Sequence, residues 1–149
     1  MAASTQLDGL FYDDVKIGMS AVVSKTITEA DIVLFAGISM DTNPLHLDER
    51  YAAESRFGGR IAHGMLGASL ISAVLGTKLP GPGAIYVSQS LRFTAPVRAG
   101  DTLVAEVTVT ELDPERRRAT LATRVSCGDV VVIDGAAVLL LPNRPATGG

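Results

Sequence analysis

From Ile61 to Thr77 the chain contains no Asp, Glu, Lys or Arg, and apolar or small residues fall on every side of a helical wheel: Met65, Leu66, Ala68, Leu70, Ile71, Ala73, Val74 and Leu75. A helix that is apolar all round has to be enclosed by other apolar elements. A membrane span would need about 20 predominantly apolar residues. His63, Ser69, Ser72 and three glycines interrupt this stretch, so it reads as a buried core helix. Pro80-Gly81-Pro82-Gly83 ends it and turns the chain.

The rest of the pattern is mostly that of strands. Met19 to Ile27 is rich in β-branched residues and predicts a first strand. Beyond the turn, Ile85, Val87, Leu91 and Phe93 alternate with Tyr86, Ser88, Ser90 and Arg92. Gln89 is the one polar residue on the apolar side, which invites a functional role for it. Leu103, Ala105, Val107 and Val109 alternate with Glu106, Thr108 and Thr110, and Ala119 to Cys127 predicts a further strand. Gly128-Asp129 makes a tight turn into a last strand from Val130 to Leu141, in which Gly135 marks a bulge. A strand, an apolar helix and four more strands predict an α+β fold, an antiparallel sheet wrapped around one long buried helix. No repeat, linker or second domain interrupts it, so residues 1–149 read as one domain.

Two shorter helices are predicted between the first strand and the central helix. Thr28 stands at an N-cap with Asp31 in the first turn, Ile27 and Ile32 form a hydrophobic staple, and Val33, Phe35 and Ala36 extend the apolar face to Gly37, the expected terminator. Asp48 caps a short helix from Glu49 to about Glu54, ended by Phe57-Gly58-Gly59. Between them runs Asp41-Thr42-Asn43-Pro44-Leu45-His46. Pro44 is barred from a helix interior and pushes Asn43 toward an extended conformation, so Asp41 and His46 are expected on a loop and not on one helical face.

Composition and charge exclude several classes. At 149 residues the chain builds a core without a metal or disulfide, and its single Cys127 rules out an internal disulfide and a cysteine-rich zinc cluster. The net charge is −3 and the basic residues are scattered, which leaves no electrostatic footprint for nucleic acid. Arg116, Arg117 and Arg118 follow Asp113-Pro114-Glu115 and read as a solvated hairpin tip. The N-terminus lacks both the basic start and the apolar run of a signal peptide, so a cytoplasmic protein is expected.

The chemistry concentrates in Asp41 to His46 and in His63-Gly64-Met65-Leu66, which opens the apolar helix. A carboxylate accepts protons and a neutral imidazole accepts or donates them, which suits acid–base work on water. The unpaired N–H groups of a helix start stabilise a developing oxyanion, and Gly64 has no Cβ to hinder approach. His63 either stands structurally at the helix start or binds a phosphate. Asp41 with the two histidines lacks the tight spacing of a metal motif, and neither a metal nor a cofactor is expected.

These motifs, the stretch from Val33 to Leu75 and the run from Ala84 to Pro96 resemble the MaoC-like, (R)-specific enoyl-CoA hydratases of the hot-dog fold. The resemblance covers roughly residues 11 to 142. It implies reversible syn-hydration of a trans-2-enoyl-CoA to an (R)-3-hydroxyacyl-CoA, with an acyl-CoA thioester as substrate and no nucleic-acid or membrane partner. It also implies a homodimer joined edge to edge. Asp41 and His46 would be the catalytic pair and Gly64 the oxyanion donor; Asn43 and Pro44 would shape the loop, Ser72 would stand near the site and Leu75 would line the acyl pocket. The alternatives are a 3-hydroxyacyl-[acyl-carrier-protein] dehydratase, a hot-dog thioesterase or a noncatalytic acyl-binding subunit.

Overall fold

Strand β1 (Ser20–Thr26) is followed by helices α1 (Glu29–Ser39), α2 (Pro44–Leu47), α3 (Glu49–Ala53) and α4 (Gly64–Thr77), and then by strands β2 (Ile85–Phe93), β3 (Thr102–Asp113), β4 (Arg118–Cys127) and β5 (Val130–Leu140). The computed structural model describes residues 9–146. Residues 1–8, on which most of the reading of the N-terminus rests, lie outside the described part. The five strands make one antiparallel sheet in the order β1-β3-β4-β5-β2. Among the described residues no helix is long and apolar enough to cross a membrane.

The alternation along β3 buries Leu103, Ala105, Val107 and Val109, and β4 and β5 add Leu121, Val125, Ile133 and Leu139 to the same core. Against these pack Leu66, Ile71, Val74 and Leu75 of α4, which lies across β1, β3, β4 and β5. Each fully buried aliphatic side chain of this kind contributes about 1.5–3 kcal/mol. The arrangement is the hot-dog fold, a curled antiparallel sheet around a central helix.

The enclosure of α4 is incomplete. Met65, Ser69, Ser72 and Gly76 form an exposed stripe along it, with Met65 55 % exposed. Alongside runs β2, the sheet edge, whose Ile85, Tyr86, Val87 and Phe93 are all exposed. An all-apolar wheel says what a helix requires around it, not whether its own chain supplies all of it. On α1, likewise, Ile32 and Ala36 are buried while Val33, from the expected apolar face, is exposed with Leu34 and Ile38.

Three further expectations are corrected. The α1 helix does not stop at Gly37 but runs to Ser39, and Met40 takes the left-handed C-cap conformation at φ 63°. Ser39 allows this: its Oγ donates to the Phe35 carbonyl and accepts the Asp41 N–H at 3.1 Å, which ties down the chain as it leaves the helix. Gly135 is not a bulge, since the sheet's register shifts fall between Tyr86 and Ser88, Val109 and Glu111, and Val125 and Ser126. A Cβ at Gly135 would lie 1.9 Å from the Ser90 carbonyl oxygen, so the glycine is there for close approach of two strand backbones. Gln89 serves packing: its Nε2 donates to Thr123 Oγ1 at 2.9 Å and to the Ser90 carbonyl, and its Oε1 accepts from Tyr86, so the buried Thr123 hydroxyl has a partner.

Candidate active site

The approach to the site begins at the capping box of α1. Thr28 Oγ1 accepts the Asp31 N–H and Asp31 accepts the Thr28 N–H, and Lys25 lies 3.0 Å from the same carboxylate. The Thr28 backbone N–H and the Lys25 ammonium hold the Asp31 carboxyl below its ordinary value. With its start fixed, α1 ends beside Asp41, whose Oδ1 accepts the Asn43 N–H at 3.2 Å.

Asn43 then caps α2, its Oδ1 accepting the Leu45 N–H at 3.0 Å, and Pro44 occupies the first turn. A proline there costs nothing, because that N–H has no intrahelical partner. His46 therefore stands on a one-turn helix and not on the expected loop, while Asp41 is on the loop before it. Pro44 bars a helix through it but favours one that begins with it.

His46 is 8 % exposed, and its Nδ1 lies 2.8 Å from the Ile61 carbonyl oxygen. A carbonyl only accepts, so Nδ1 carries a proton, and in the neutral ring Nε2 is a bare acceptor. That Nε2 is 3.9 Å from Asp41 Oδ2. The segment around Ile61 is itself stitched to α2, since the Ile61 N–H donates to the Leu45 carbonyl and Arg60 Nε to the His46 carbonyl. Arg60 also pairs with Glu29 of α1. The Ala62 N–H donates to Val97, so the chain enters α4 already docked on the sheet side.

A cavity of about 440 Å³ opens over this corner, lined by Asp41, His63, Gly64, Phe57, Phe93 and Ile133 among others. His46 does not itself line the cavity; its ring stacks on that of His63, which does. Gly64 is the first residue of α4, where N–H groups have no partner within the helix and the dipole is positive. The Asp41 carboxylate, 3.9 Å from His46 Nε2, and the start of α4 share one cavity, which accommodates a water molecule donating to the carboxylate and a carbonyl oxygen facing the helix.

The fold also joins what the sequence keeps apart. Possible ligand atoms of Asp41, His46 and His63 lie within 4.8 Å of one another, although His63 is seventeen positions beyond His46. The two rings are stacked, with centroids 3.8 Å apart and planes inclined by 29°. Imidazole lone pairs lie in the ring plane, so stacked rings direct them side by side and not toward one point. This arrangement does not suit a chelating triad.

The other expected site residues divide clearly. Asn43 and Pro44 form the turn that presents His46 and do not line the cavity. Ser72 is exposed on the outer stripe of α4 and borders a second, open groove of about 560 Å³ with Tyr86 and Leu91. Leu75 is 1 % exposed and packs in the core. Phe93, Phe57 and Arg56 line the cavity without having been singled out from the sequence. Phe93 reads there as one more apolar strand position, and only the folded chain places it against Gly64.

Comparison with known proteins identifies the family. The profile of the MaoC like domain matches residues 14–130. The chain is 58 % identical over 134 residues to an (R)-specific enoyl-CoA hydratase of Rhodospirillum rubrum, covering 90 % of this chain and 93 % of that one. It is 52 % identical over 139 residues to a 3-hydroxybutyryl-CoA dehydratase of Methylorubrum extorquens, covering 93 % and 88 %. The unliganded R-hydratase PhaJ1 from Pseudomonas aeruginosa superposes with a TM-score of 0.85 at 43 % identity, over 95 % of this chain and 97 % of that one. By profile, sequence and fold alike, this chain belongs to the MaoC-like family.

Proposed function

We propose that the protein is an (R)-specific enoyl-CoA hydratase, adding water reversibly to a trans-2-enoyl-CoA to give the (R)-3-hydroxyacyl-CoA. The observation that carries this is the separation of 3.9 Å between Asp41 Oδ2 and His46 Nε2, beside the first turn of α4. Relatives named as hydratase and dehydratase at 58 % and 52 % identity support the same reaction, run in its two directions.

The thioester carbonyl makes the β-carbon electrophilic, and its oxygen gains charge as water adds. The Gly64 N–H receives that charge, helped by the positive end of α4. The Asp41 carboxylate takes one proton from the water as the water oxygen bonds to the β-carbon. His46 delivers a proton from Nε2 to the α-carbon; because Nδ1 already holds a proton against Ile61, the delivering ring is the imidazolium, with the Asp41 carboxylate as its counter-ion. The proton left on Asp41 then returns to Nε2, so each turnover consumes one water and restores both groups. Delivery of both atoms from one side of the substrate gives syn addition.

The working form is a homodimer. An edge strand with unpaired backbone groups, flanked by exposed Tyr86, Val87 and Met65, is a surface that a second copy covers by continuing the sheet.

A progress curve with crotonyl-CoA, followed by the loss of enoyl absorbance and by stereospecific detection of the product, tests the activity. Hydration to the (R)-alcohol is expected. An unchanged absorbance, or release of free thiol in its place, overturns it.

A further inference from the structure

His63 is 2 % exposed and occupies the N-cap position of α4, yet its side chain makes no cap hydrogen bond. Its Nε2 lies 2.9 Å from the backbone carbonyl oxygen of Asp41, and its ring is stacked on that of His46. The carbonyl can only accept, so Nε2 carries the proton and Nδ1 of the neutral ring is bare. Nδ1 is buried and has no hydrogen-bond partner among the described residues. A proton added there would be a donor without an acceptor, and a second positive charge against the ring that has to carry one. The Asp41 carbonyl thus selects the tautomer of His63 that carries its proton on Nε2. A phosphate-binding role does not fit a buried ring whose one donor is already engaged.

We infer that His63 is a positioning residue for Asp41 and His46, an inference that rests on the hydratase reading. It clamps the main chain at residue 41 from the position next to Gly64. The base for water and the N–H that meets the thioester oxygen are thereby set by adjacent residues at one backbone joint. Its neutral aromatic face also lies against the imidazole of His46, where a cation is favoured. Phe35 also packs against the ring, with centroids 4.9 Å apart and planes inclined by 59°.

Glutamine and asparagine separate positioning from simple filling, because the Gln amide reaches to about where Nε2 stands and the Asn amide stops short. In His63→Asn, kcat is expected to fall about 10²-fold with KM changed by less than about threefold, the response to a misplaced catalytic group. His63→Gln should recover most of that loss. A filling role predicts equal effects in both variants, seen in the folded fraction and not in kcat per folded molecule; that result, or a rise in KM with kcat unchanged, overturns the inference.

Two readouts do not depend on turnover. Nitrogen-15 NMR of the wild-type imidazoles near neutral pH should show His63 protonated at Nε2 and bare at Nδ1; the reverse tautomer or a charged ring overturns the clamp. Exchange of the Asn43 amide proton, which bonds to Asp41, should quicken in His63→Asn and not in His63→Gln. A protein that shows this tautomer and this exchange but leaves crotonyl-CoA unchanged refutes the hydratase reading and not the clamp.

Discussion

The ring of Phe93 lies so close to Gly64 that a Cβ on the glycine would be 2.6 Å from Phe93 Cδ1 and 2.7 Å from Cε1. The glycine at the helix start is therefore required by the protein's own packing as well as by any ligand. Phe93 is 52 % exposed on the cavity wall, so a methyl group at position 64 would push the ring into the space meant for substrate. Gly64→Ala is expected to reduce kcat/KM about 10²-fold, comparable to loss of an oxyanion donor. Adding Phe93→Ala should return part of it, with a coupling on the order of 1 kcal/mol or more in the double-mutant cycle. Strict additivity would mean that the ligand alone, and not Phe93, dictates the glycine.

Replacing either member of the acid–base pair by an amide side chain tests the proposed division of labour. Asn at position 41 keeps the Oδ1 acceptor that holds the Asn43 N–H, so the loop should survive while the proton acceptor is lost. Asp41→Asn and His46→Gln are each expected to lower turnover by at least ~10², with far-ultraviolet circular dichroism and midpoint of denaturation close to wild type. If either variant keeps near-normal turnover, the pair is not the proton circuit.

Acid should loosen the entrance to α1 before it affects the core. The Asp31 carboxyl is held below its ordinary value, first by the Thr28 backbone N–H and then by Lys25. A depressed folded-state value means that the carboxylate's contribution is fully present above the unfolded value of 3.8 and is lost as pH falls through the folded one. Urea denaturation at pH 7 and pH 3 should show Asp31→Asn less stable than wild type at the higher pH, with the gap narrowing at the lower. Thr28→Ala, which removes the other half of the box, should cost about 1 kcal/mol at either pH. A gap for Asp31→Asn that stays constant would place its effect elsewhere than in ionisation.

The fold was legible because its signals are local. Leu103, Ala105, Val107 and Val109 alternate with polar residues, and the structure buries all four. Thr28 and Asp31 announce α1 by capping chemistry, and Asp48 does the same for α3. At the site, Asp41, His46 and Gly64 stood out as a motif before any geometry was known. Their partners did not, because those contacts cross long stretches of chain: Ile61 sets the tautomer of His46, Phe93 crowds Gly64, and His63 reaches back to the carbonyl of Asp41. Met40 was missed as a helix end for a different reason. A left-handed methionine is unfavourable on its own terms and is tolerated only because Ser39 binds the backbone on both sides of it. On α4, Leu75 is buried in the core while Ser72, three residues before it, borders the open groove.

That open groove bears on assembly. Met65 and Ser72 on α4, with Tyr86 and Val87 on β2, line a surface beside a strand whose outer edge has no partner among the described residues. Pairing two such edges would extend each five-stranded sheet into one of twice the width and cover the stripe of α4 that its own sheet leaves bare. A lysine at an edge position opposes this, because its charge would be buried against the partner's strand. Sedimentation of the wild type at micromolar concentration should therefore give twice the chain mass of 15.5 kDa, and Val87→Lys should sediment as the monomer. Val87 is 42 % exposed, so the lysine should leave the folded protomer intact, and a normal circular dichroism spectrum would show it. A wild type that sediments at the mass of one chain would mean that the apolar stripe faces solvent in the working protein.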